Sequence, residues 1–511
     1  MKSIILWVKQ NRFEVVIIIL IISVAAFLRF YRLSEYMTFL GDEGRDMLMM
    51  NRILIEHDFP LIGPPSSVGN IYLGPLYYYM MAIPMALFWL NPVAAAVMVA
   101  LIGIATVGLI YFLAREWFGK WSALLSAFLY AISFVTVTYS RSSWNPNPAP
   151  FFSLLSFLGL HQARKSKNFL WFILTGASLS AVIQMHYLAL ILLPIFGILW
   201  LIELIERKKM EYKNFFLGTI CAIIAFIFII SPLIIFDFKY SFMNFNALKS
   251  LFVGDDGSLG INVSTIPSQI SSIYSDKLIG RYIGGENNAI IFIISFLILI
   301  PVLALIVMLF KKRKLEWPFL TCGVWLITGV LGLTFYKYSI YDHYLGFINP
   351  VPFLLLAALI SLLTKKWQWL AVVIILIPLI VVNIPKSWLF TPPVNQLQRT
   401  EQVAKYIINK ANGQPFNFAL IAERNYDSAY QFYLDMYGFK PKVVPIEITN
   451  QLFVVCEDTI CNPVGHPKYE IAGFGMSKID TMNIVDGLKI YRLVANPSGQ
   501  PPNDFSFSII K

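Results

Sequence analysis

Runs of about twenty apolar residues recur along this chain, and its charges gather in the short stretches between them. A helix needs about 20 apolar residues to cross the hydrocarbon of a bilayer. Runs of that kind cover roughly 13–31, 93–114, 121–140, 169–185, 187–205, 215–236, 289–310, 316–335, 345–364 and 367–385. A shorter one, 148–162, lies between Asn147 and the basic stretch ARKSKN. Segment 75–91 fits three readings: a span, an interfacial helix, or the first half of a kinked helix reaching 114. From about residue 390 the pattern changes. NQLQRTEQVAKYIINKAN is amphipathic at helical spacing, and YDSAYQFYLDMYG reads as a second helix. FNFALIAE, KVVPIEI, QLFVVCED and GLKIYRLVA read as strands. The polar stretch 237–288, with GDDGSLG inside it, is long enough for an ordered lid or a mobile loop.

Composition places these runs in a membrane. Hydrophobic residues make up 57% of the 511 and charged residues 14%, where soluble domains carry about 25% charged. The net charge of +11 is then read as cytoplasmic loop charge before nucleic-acid binding, which is not expected. Six basic clusters stand out: Lys2/Lys9/Arg12, Arg115/Lys120, Arg164/Lys165/Lys167, Arg207/Lys208/Lys209/Lys213, Lys311/Lys312/Arg313/Lys314 and Lys365/Lys366. Two apolar runs separate each consecutive pair, provided 75–91 does not cross by itself. The expected fold is therefore a polytopic α-helical membrane protein with a C-terminal extracytoplasmic α/β domain. About eleven transmembrane helices are expected, twelve or thirteen if further segments cross. The N-terminus is expected in the cytoplasm, and the protein in the plasma membrane among its lipids. The boundaries are 1–388 for the membrane part, with outer loops 32–92 and 237–288, and 389–511 for the small domain. MKSIILWVKQNR precedes a run too long for a signal peptide and lacks a small-residue cleavage site after it, so it leads into an uncleaved first span. Cys221 and Cys322 lie in apolar runs and read as packing residues; Cys456 and Cys461 read either as two free thiols or, if the tail is outside the cell, as a pair close enough to bridge.

With this topology the unusual polar residues fall on the outer side. FLGDEGRDMLMM (39–50) sets Asp42, Glu43, Arg45 and Asp46 at the lip of the first span. As a helix it puts Asp42 and Asp46 one turn apart on one face, with Arg45 adjacent. It reads either as a capped interfacial helix or as acids that meet a lipid-borne and an aqueous substrate together. Asp42 and Asp46 could also hold a divalent cation. TYSRSSWNPNPAPFF carries Arg141, Asn145 and Asn147; Arg141 is either a snorkelling arginine or a phosphate ligand. His186, between two apolar runs, is either a packing histidine or a sugar contact. In TFYKYSIYDHYLGFINPVPF, Lys337, Asp342, His343 and Tyr344 precede a proline-broken run. They read as an aromatic belt or as a phosphate cradle, with Arg281 a weaker phosphate candidate. Asn262-Val263-Ser264 fits a glycosylation acceptor pattern.

A first span, an outer loop opening on Asp42-Glu43, and the aromatic stretch GNIYLGPLYYYMMAIPMALF together resemble the C-type membrane glycosyltransferase superfamily. The closest likeness is to its protein O-mannosyltransferase and aminoarabinose transferase branch, over roughly 1–390. The resemblance implies sugar transfer from a polyprenyl-phosphate donor to an acceptor at the outer face, the acceptor being a protein, a lipid or a glycan. It implies Asp42 as the catalytic acid residue with Glu43 beside it. Arg141 matches the family's Ser-Arg pair, but Asn145 and Asn147 stand where an acid often follows, which leaves Asp42 as the one strong base candidate. His343-Tyr344 resembles the family's His/Arg-Tyr pair ahead of a proline-containing helix. Arg45, Arg141, Asn145, His186, Lys337, Asp342, His343 and Tyr344 are thus the expected substrate contacts, with Asp42 and Glu43 catalytic. The branch is generally metal-independent, so no metal or other cofactor is expected. The chemistry suits the residues: a hydroxyl needs one base to attack the anomeric carbon, and the departing phosphate needs donors or cations. Two rival readings are a lipid-linked sugar flippase or transporter, which would bury ionisable groups mid-membrane, and a polysaccharide polymerase.

Overall fold

Hydrocarbon offers no partner to a backbone N–H or C=O, so these apolar runs satisfy theirs within helices. The computed structural model describes residues 2–66, 71–208, 211–252, 265–310 and 316–496. Among them, seven helices are long and apolar enough to cross a membrane: Arg12–Phe30, Pro92–Phe118, Tyr187–Ile205, Tyr212–Lys239, Asn288–Met308, Trp317–Thr334 and Lys365–Lys386. Leu76–Leu87, Lys120–Ile132, Trp171–Met185 and Pro350–Ser361 are shorter apolar helices. The molecule is a multi-pass α-helical membrane protein with a small sheet near its C-terminus. It divides into two compact units. One comprises the residues up to Leu33 with Asp58–Pro392; the other comprises Ser34–His57 with the residues from Pro393 on.

In the first unit most apolar runs fold as single helices, and each difference has a physical cause. The run 121–140 breaks at Ser133, between helices Lys120–Ile132 and Phe134–Tyr139. There the Ser133 hydroxyl donates to the Tyr282 carbonyl (2.6 Å) and Thr136 Oγ1 to that of Tyr130 (2.7 Å), replacing helix bonds with side-chain ones. The run 345–364 shortens to Pro350–Ser361, which starts on a proline that cannot donate an N–H. Segment 75–91 is a separate helix, Leu76–Leu87. Its 12 residues reach about 18 Å, short of a crossing of roughly 30 Å. It is not the first half of a kinked helix, because Trp89 and Leu90 take left-handed φ values of 50° and 58°. Asn91 Oδ1 then caps the next helix at Val93 N (3.0 Å). Within 237–288 lie the helices Met243–Phe252 and Ile266–Ser271, the latter continuing as a π-helix, Ser272–Arg281. Lys209, Lys311–Lys314, GDDGSLG and Asn262-Val263-Ser264 lie outside the described residues.

Ion pairs gather several helix ends at one end of this unit. Glu14 takes Arg115 (2.6 Å) and Tyr111 (2.8 Å), joining the start of Arg12–Phe30 to the end of Pro92–Phe118. Glu116 pairs with Lys165, and Arg164 with Glu203 and Glu206. Arg207 pairs with Glu203 and Glu211. Residues 164 and 205 therefore share one end, and His186, between helices Trp171–Met185 and Tyr187–Ile205, stands at the other. Trp171–Met185 packs on both Ala149–Ser166 and Tyr212–Lys239. The last contact is backbone to backbone: a Cβ on Gly176 would collide with the Ala222 carbonyl, the small-residue packing that membrane helices use.

The second unit holds a four-stranded sheet in the order β1-β2-β4-β3: β1 Asn417–Ile421, β2 Gln451–Cys456, β3 Ser477–Val485 and β4 Leu488–Ala495. β1 and β2 are parallel; β4 runs antiparallel to β2 and to β3. The Gln396–Ala411 and Ser428–Met436 helices fall where the sequence places them. KVVPIEI does not form a strand; only Lys442 bridges to Asn417. Instead the buried Asn417 amide donates to the carbonyls of Lys442 and Glu447 (both 2.8 Å) and accepts from Thr449 N (2.8 Å). Pro445, which has no N–H to donate, suits that turn better than a ladder. β3 and the short Tyr469–Phe474 helix are additions to the sequence reading. Cys456, closing β2, forms a disulfide with Cys461, and both sulfurs lie in this unit's core.

Residues 34–57, read from sequence as part of the first outer loop, pack within this second unit. Their helix Gly41–Leu54 lies on Ser428–Met436. It buries Met47, Met50 and Ile53, and Phe39 just before it meets Phe432 and Tyr433. Glu43 folds back so that Oε2 accepts the Leu40 N–H (3.0 Å) and caps the helix. The Glu43 side chain is 4% exposed, and burial pushes its carboxyl up to about 7 against the pull of the Leu40 hydrogen bond.

Two stability predictions follow from this packing. A methyl at Gly44 would strike the Ala429 backbone, whereas Gly197 has open space around it. Gly44→Ala is expected to destabilise the second unit by roughly 3 kcal/mol, and Gly197→Ala to change little, as read by thermal unfolding in detergent. A carboxyl raised on folding holds its proton more tightly folded than unfolded, so its contribution is complete below about 4.5 and is lost as pH rises towards about 7. Glu43→Gln keeps an acceptor for Leu40 and removes that loss. The variant should gain on wild type from pH 4.5 to 8, by up to roughly 3 kcal/mol. Parallel melting curves at the two pH values would refute it.

Candidate active site

The acidic stretch that stands out in the sequence is a helix N-terminus, where the first backbone N–H groups and the helix dipole favour negative charge. Asp42 lies in its first turn. Asp42 Oδ1 accepts Arg45 Nη1 (2.9 Å) and the Tyr426 hydroxyl (2.6 Å). Arg45 Nη1 also donates to the Tyr426 oxygen (3.2 Å). The other side of the guanidinium takes Asp46: Nε at 3.0 Å and Nη2 at 2.8 Å, both to Oδ1. Arg45 thus places a positive charge between the two carboxylates. Asp46 is buried, whereas the Asp42 side chain is 40% exposed. Glu43, predicted with Asp42 as catalytic, is the buried cap described above. The two neighbouring carboxyls therefore have opposite surroundings, one dry and turned inward, one ion-paired and open to water.

In the first unit, the predicted residues Asn145, His186, His343 and Tyr344 come together at the end opposite the ion-pair network. His186 ends the Trp171–Met185 helix and accepts Leu188 N at Nδ1 (3.2 Å). Its ring lies 4.4 Å from that of Tyr344, which stands 4.5 Å from His343. His343 in turn meets Trp144 at 4.3 Å. Asn145 Nδ2 donates to the Met185 carbonyl (2.9 Å), tying the TYSRSSWNPNP loop to the His186 turn. Behind His343 is a cavity of about 20 Å³ lined by Tyr139, Asn147, Tyr282 and Asn349 among others, room for about one water.

Three predicted contacts stand apart. Arg141 is buried, donates to the Leu28 carbonyl (2.7 Å) and the Tyr31 carbonyl (2.9 Å), and lies 4.1 Å over the Trp388 ring. Its fork fastens the end of the Arg12–Phe30 helix. Asp342 is held by Arg281 (2.6 Å), and its backbone carbonyl takes the Tyr282 hydroxyl (2.7 Å). Arg281 itself also pairs with Glu286. Lys337 is exposed, next to Tyr336, whose hydroxyl meets that of Tyr187 at 2.6 Å. Sequence reasoning missed Tyr426, Trp144 and Tyr336. The last two are aromatic residues in segments already singled out, but nothing near ERNYDSAY marks Tyr426 as the partner of an aspartate 384 positions earlier.

Comparison with known proteins bears on the fold. The family model for dolichyl-phosphate-mannose-protein mannosyltransferase matches residues 73–236. No curated protein sequence matches the chain. Among solved structures, ArnT from Cupriavidus metallidurans bound to undecaprenyl phosphate superposes with a TM-score of 0.58 at 14% identity, covering 95% of this chain and 99% of that one. ArnT in the apo state gives the same TM-score over 93% and 97%. The Archaeoglobus fulgidus oligosaccharyltransferase, in complex with zinc and sulfate, gives 0.53 at 13% identity, over 84% of this chain and 62% of that one. Residues 73–236 thus match the mannosyltransferase family model, and the chain shares the fold of ArnT and of the Archaeoglobus fulgidus oligosaccharyltransferase.

Proposed function

We propose that this protein transfers a sugar from a polyprenyl-phosphate donor to an acceptor hydroxyl at the outer face of the cell membrane, with Asp42 as general base. The observation that carries the reading is the state of Asp42: a carboxylate fixed at Oδ1 by Arg45 and Tyr426, in a side chain still 40% exposed. A general base must be held in place, ionised and reachable, and geometry comes before basicity. Shared fold with ArnT, solved with undecaprenyl phosphate, supports the lipid-linked donor.

In the reaction the acceptor oxygen bonds to the anomeric carbon while its proton passes to Asp42 Oδ2. The bond from that carbon to the phosphate oxygen breaks, and the polyprenyl phosphate leaves with the electron pair. Single displacement inverts the anomeric configuration. No nucleotide takes part, and the mechanism needs no metal. Lys337 is the exposed cation assigned to the departing phosphate, a charge-assisted contact. His186, His343 and Tyr344, packed tilted and edge to face, offer ring faces and edges to the sugar. Glu43 holds the helix that carries Asp42, and Arg141 and Asp342 fix backbone segments. The basic, ion-paired end of the first unit faces the cytoplasm, as positive charge favours.

The test is sugar transfer by purified protein in liposomes, with a panel of radiolabelled polyprenyl-phosphate sugars and membrane extract as acceptor source. Asp42→Asn, with its fold intact, should lose at least about 100-fold in rate, and Lys337→Ala should raise the requirement for donor. Equal transfer by wild type and Asp42→Asn removes the base assignment; a product that retains the donor's configuration removes single displacement.

A further inference from the structure

Asp42 is held from two sides, by its own helix and by a chain segment nearly four hundred residues away. The second hold is built with care. Tyr426 lays its ring on Gly41, where a Cβ would meet Tyr426 Cδ1, Cε1 and Cγ at 2.5–2.6 Å; only glycine admits the ring that close. Asn425 Oδ1 accepts both the Gly41 N–H and the Tyr426 N–H (each 2.9 Å). Asn425 Nδ2 donates to both oxygens of Glu457 (3.1 and 2.9 Å). Glu457 directly follows β2, takes the Tyr430 hydroxyl (2.6 Å) and donates its own N–H to Ile421 at the end of β1. The Asn425-Tyr426 pair is thereby pinned to the sheet and to the helix cap at once.

We propose that Tyr426 is a positioning residue for the base, so that the C-terminal domain supplies part of the catalytic apparatus; this rests on the assignment of Asp42 above. The phenol accepts from Arg45 Nη1 and donates to Asp42 Oδ1. Two donors on Oδ1 fix the carboxylate plane and leave Oδ2, which makes no hydrogen bond among the described residues, to take the acceptor's proton. A short O–H···O⁻ bond of 2.6 Å is of the stronger, charge-assisted kind. Burial and the Asp42 charge keep the phenol protonated, hence a donor, well past its ordinary range. The charged and titratable groups around Asp42 are Arg45, Glu43 and Asp46 on its own helix and Tyr426 from the facing segment.

The experiment uses the full chain in liposomes with the polyprenyl-phosphate sugar that wild type accepts. Tyr426→Phe keeps the ring on Gly41 and removes only the hydroxyl. Its kcat is expected to fall about tenfold or more, with KM for the donor unchanged and the acid limb of the rate profile moved to higher pH, because the ionised base has lost a donor. Replacing Tyr426 by 3-fluorotyrosine keeps ring and hydroxyl, strengthens the donor, and should move that limb to lower pH. In an Asp42→Asn background Tyr426→Phe should cause no further loss. If Asp42→Asn is inactive while Tyr426→Phe keeps the wild-type kcat and pH profile, the positioning role is wrong and the base assignment stands. The same holds if Tyr426→Phe slows both backgrounds equally. If Asp42→Asn transfers sugar as wild type does, or wild type transfers none, the base assignment falls and takes this role with it.

Discussion

The bilayer's refusal of unpaired charge and unpaired backbone is the constraint from which the rest of this molecule follows. It makes the apolar runs helices, and it drives ionisable side chains to helix ends or into tight pairs. Arg29 shows the rule under strain. It sits within the Arg12–Phe30 span with no exposure, and Nη1 takes the carbonyls of Ala25 and Ala131, both at 3.2 Å. Elsewhere in the first unit the charges pair at helix ends. Glu14, Glu116, Glu203 and Glu206 meet their cations at one end. The opposite end carries the Arg281–Asp342 pair and a cluster of rings 4.3–4.5 Å apart, tilted or edge to face. Chemistry on a lipid-borne substrate has to happen at such an end, because only there do a hydrocarbon tail and a hydrated sugar both find a suitable environment.

The second unit answers a different problem, that of making adjacent carboxyls behave differently. Asp42 and Glu43 are covalent neighbours on one helix turn. Glu43 turns inward to cap, loses its water, and is pushed up to about 7. Asp42 turns outward to Arg45 and Tyr426 and keeps part of its hydration. Environments that separate paired carboxyls in this way are how one site assigns distinct roles to like groups. The helix could not do this alone, since its first turn supplies the dipole and Arg45 but not the phenol or the Asn425 amide. Those come from the stretch after β1, which makes the sheet a support for the acidic helix.

The spans, the basic clusters, the onset of the α/β region and the Gln396–Ala411 helix were legible because each rests on local periodicity. The places where reading failed share a cause. The run 121–140 looks continuous until Ser133 finds a carbonyl 149 residues away, and KVVPIEI has strand composition but a buried Asn417 that claims its carbonyls. β3 was missed because it is only partly buried and so alternates weakly. Residues 34–57 read as a loop of the membrane part because sequence adjacency was the only guide; their apolar face, Met47, Met50 and Ile53, gives no hint of what it packs on. Asp42 and Arg45 stood out by position and charge, whereas Tyr426 is one of 25 tyrosines and only folding brings it to Asp42. Arg141 was visible as an arginine at a membrane lip, but whether it met phosphate or carbonyl was a matter of three-dimensional context, and the carbonyls of Leu28 and Tyr31 supply it.

An identity of 14% across nearly the whole of both chains, at a TM-score of 0.58, is itself physically informative. In hydrocarbon Leu, Ile, Val and Phe are nearly equivalent, so a span can exchange most of its residues while its length and place persist. What cannot drift freely are the close approaches, such as Gly176 against Ala222 and Gly44 against Ala429, and the polar groups whose partners are fixed, such as the buried Asn417 and the half-buried Glu457. A fold held in that way constrains the position of a site far more than its residues. Two chains with this layout can therefore carry different acids, cations and rings at corresponding helix ends, and the chemistry of each has to be argued from the contacts its own side chains make.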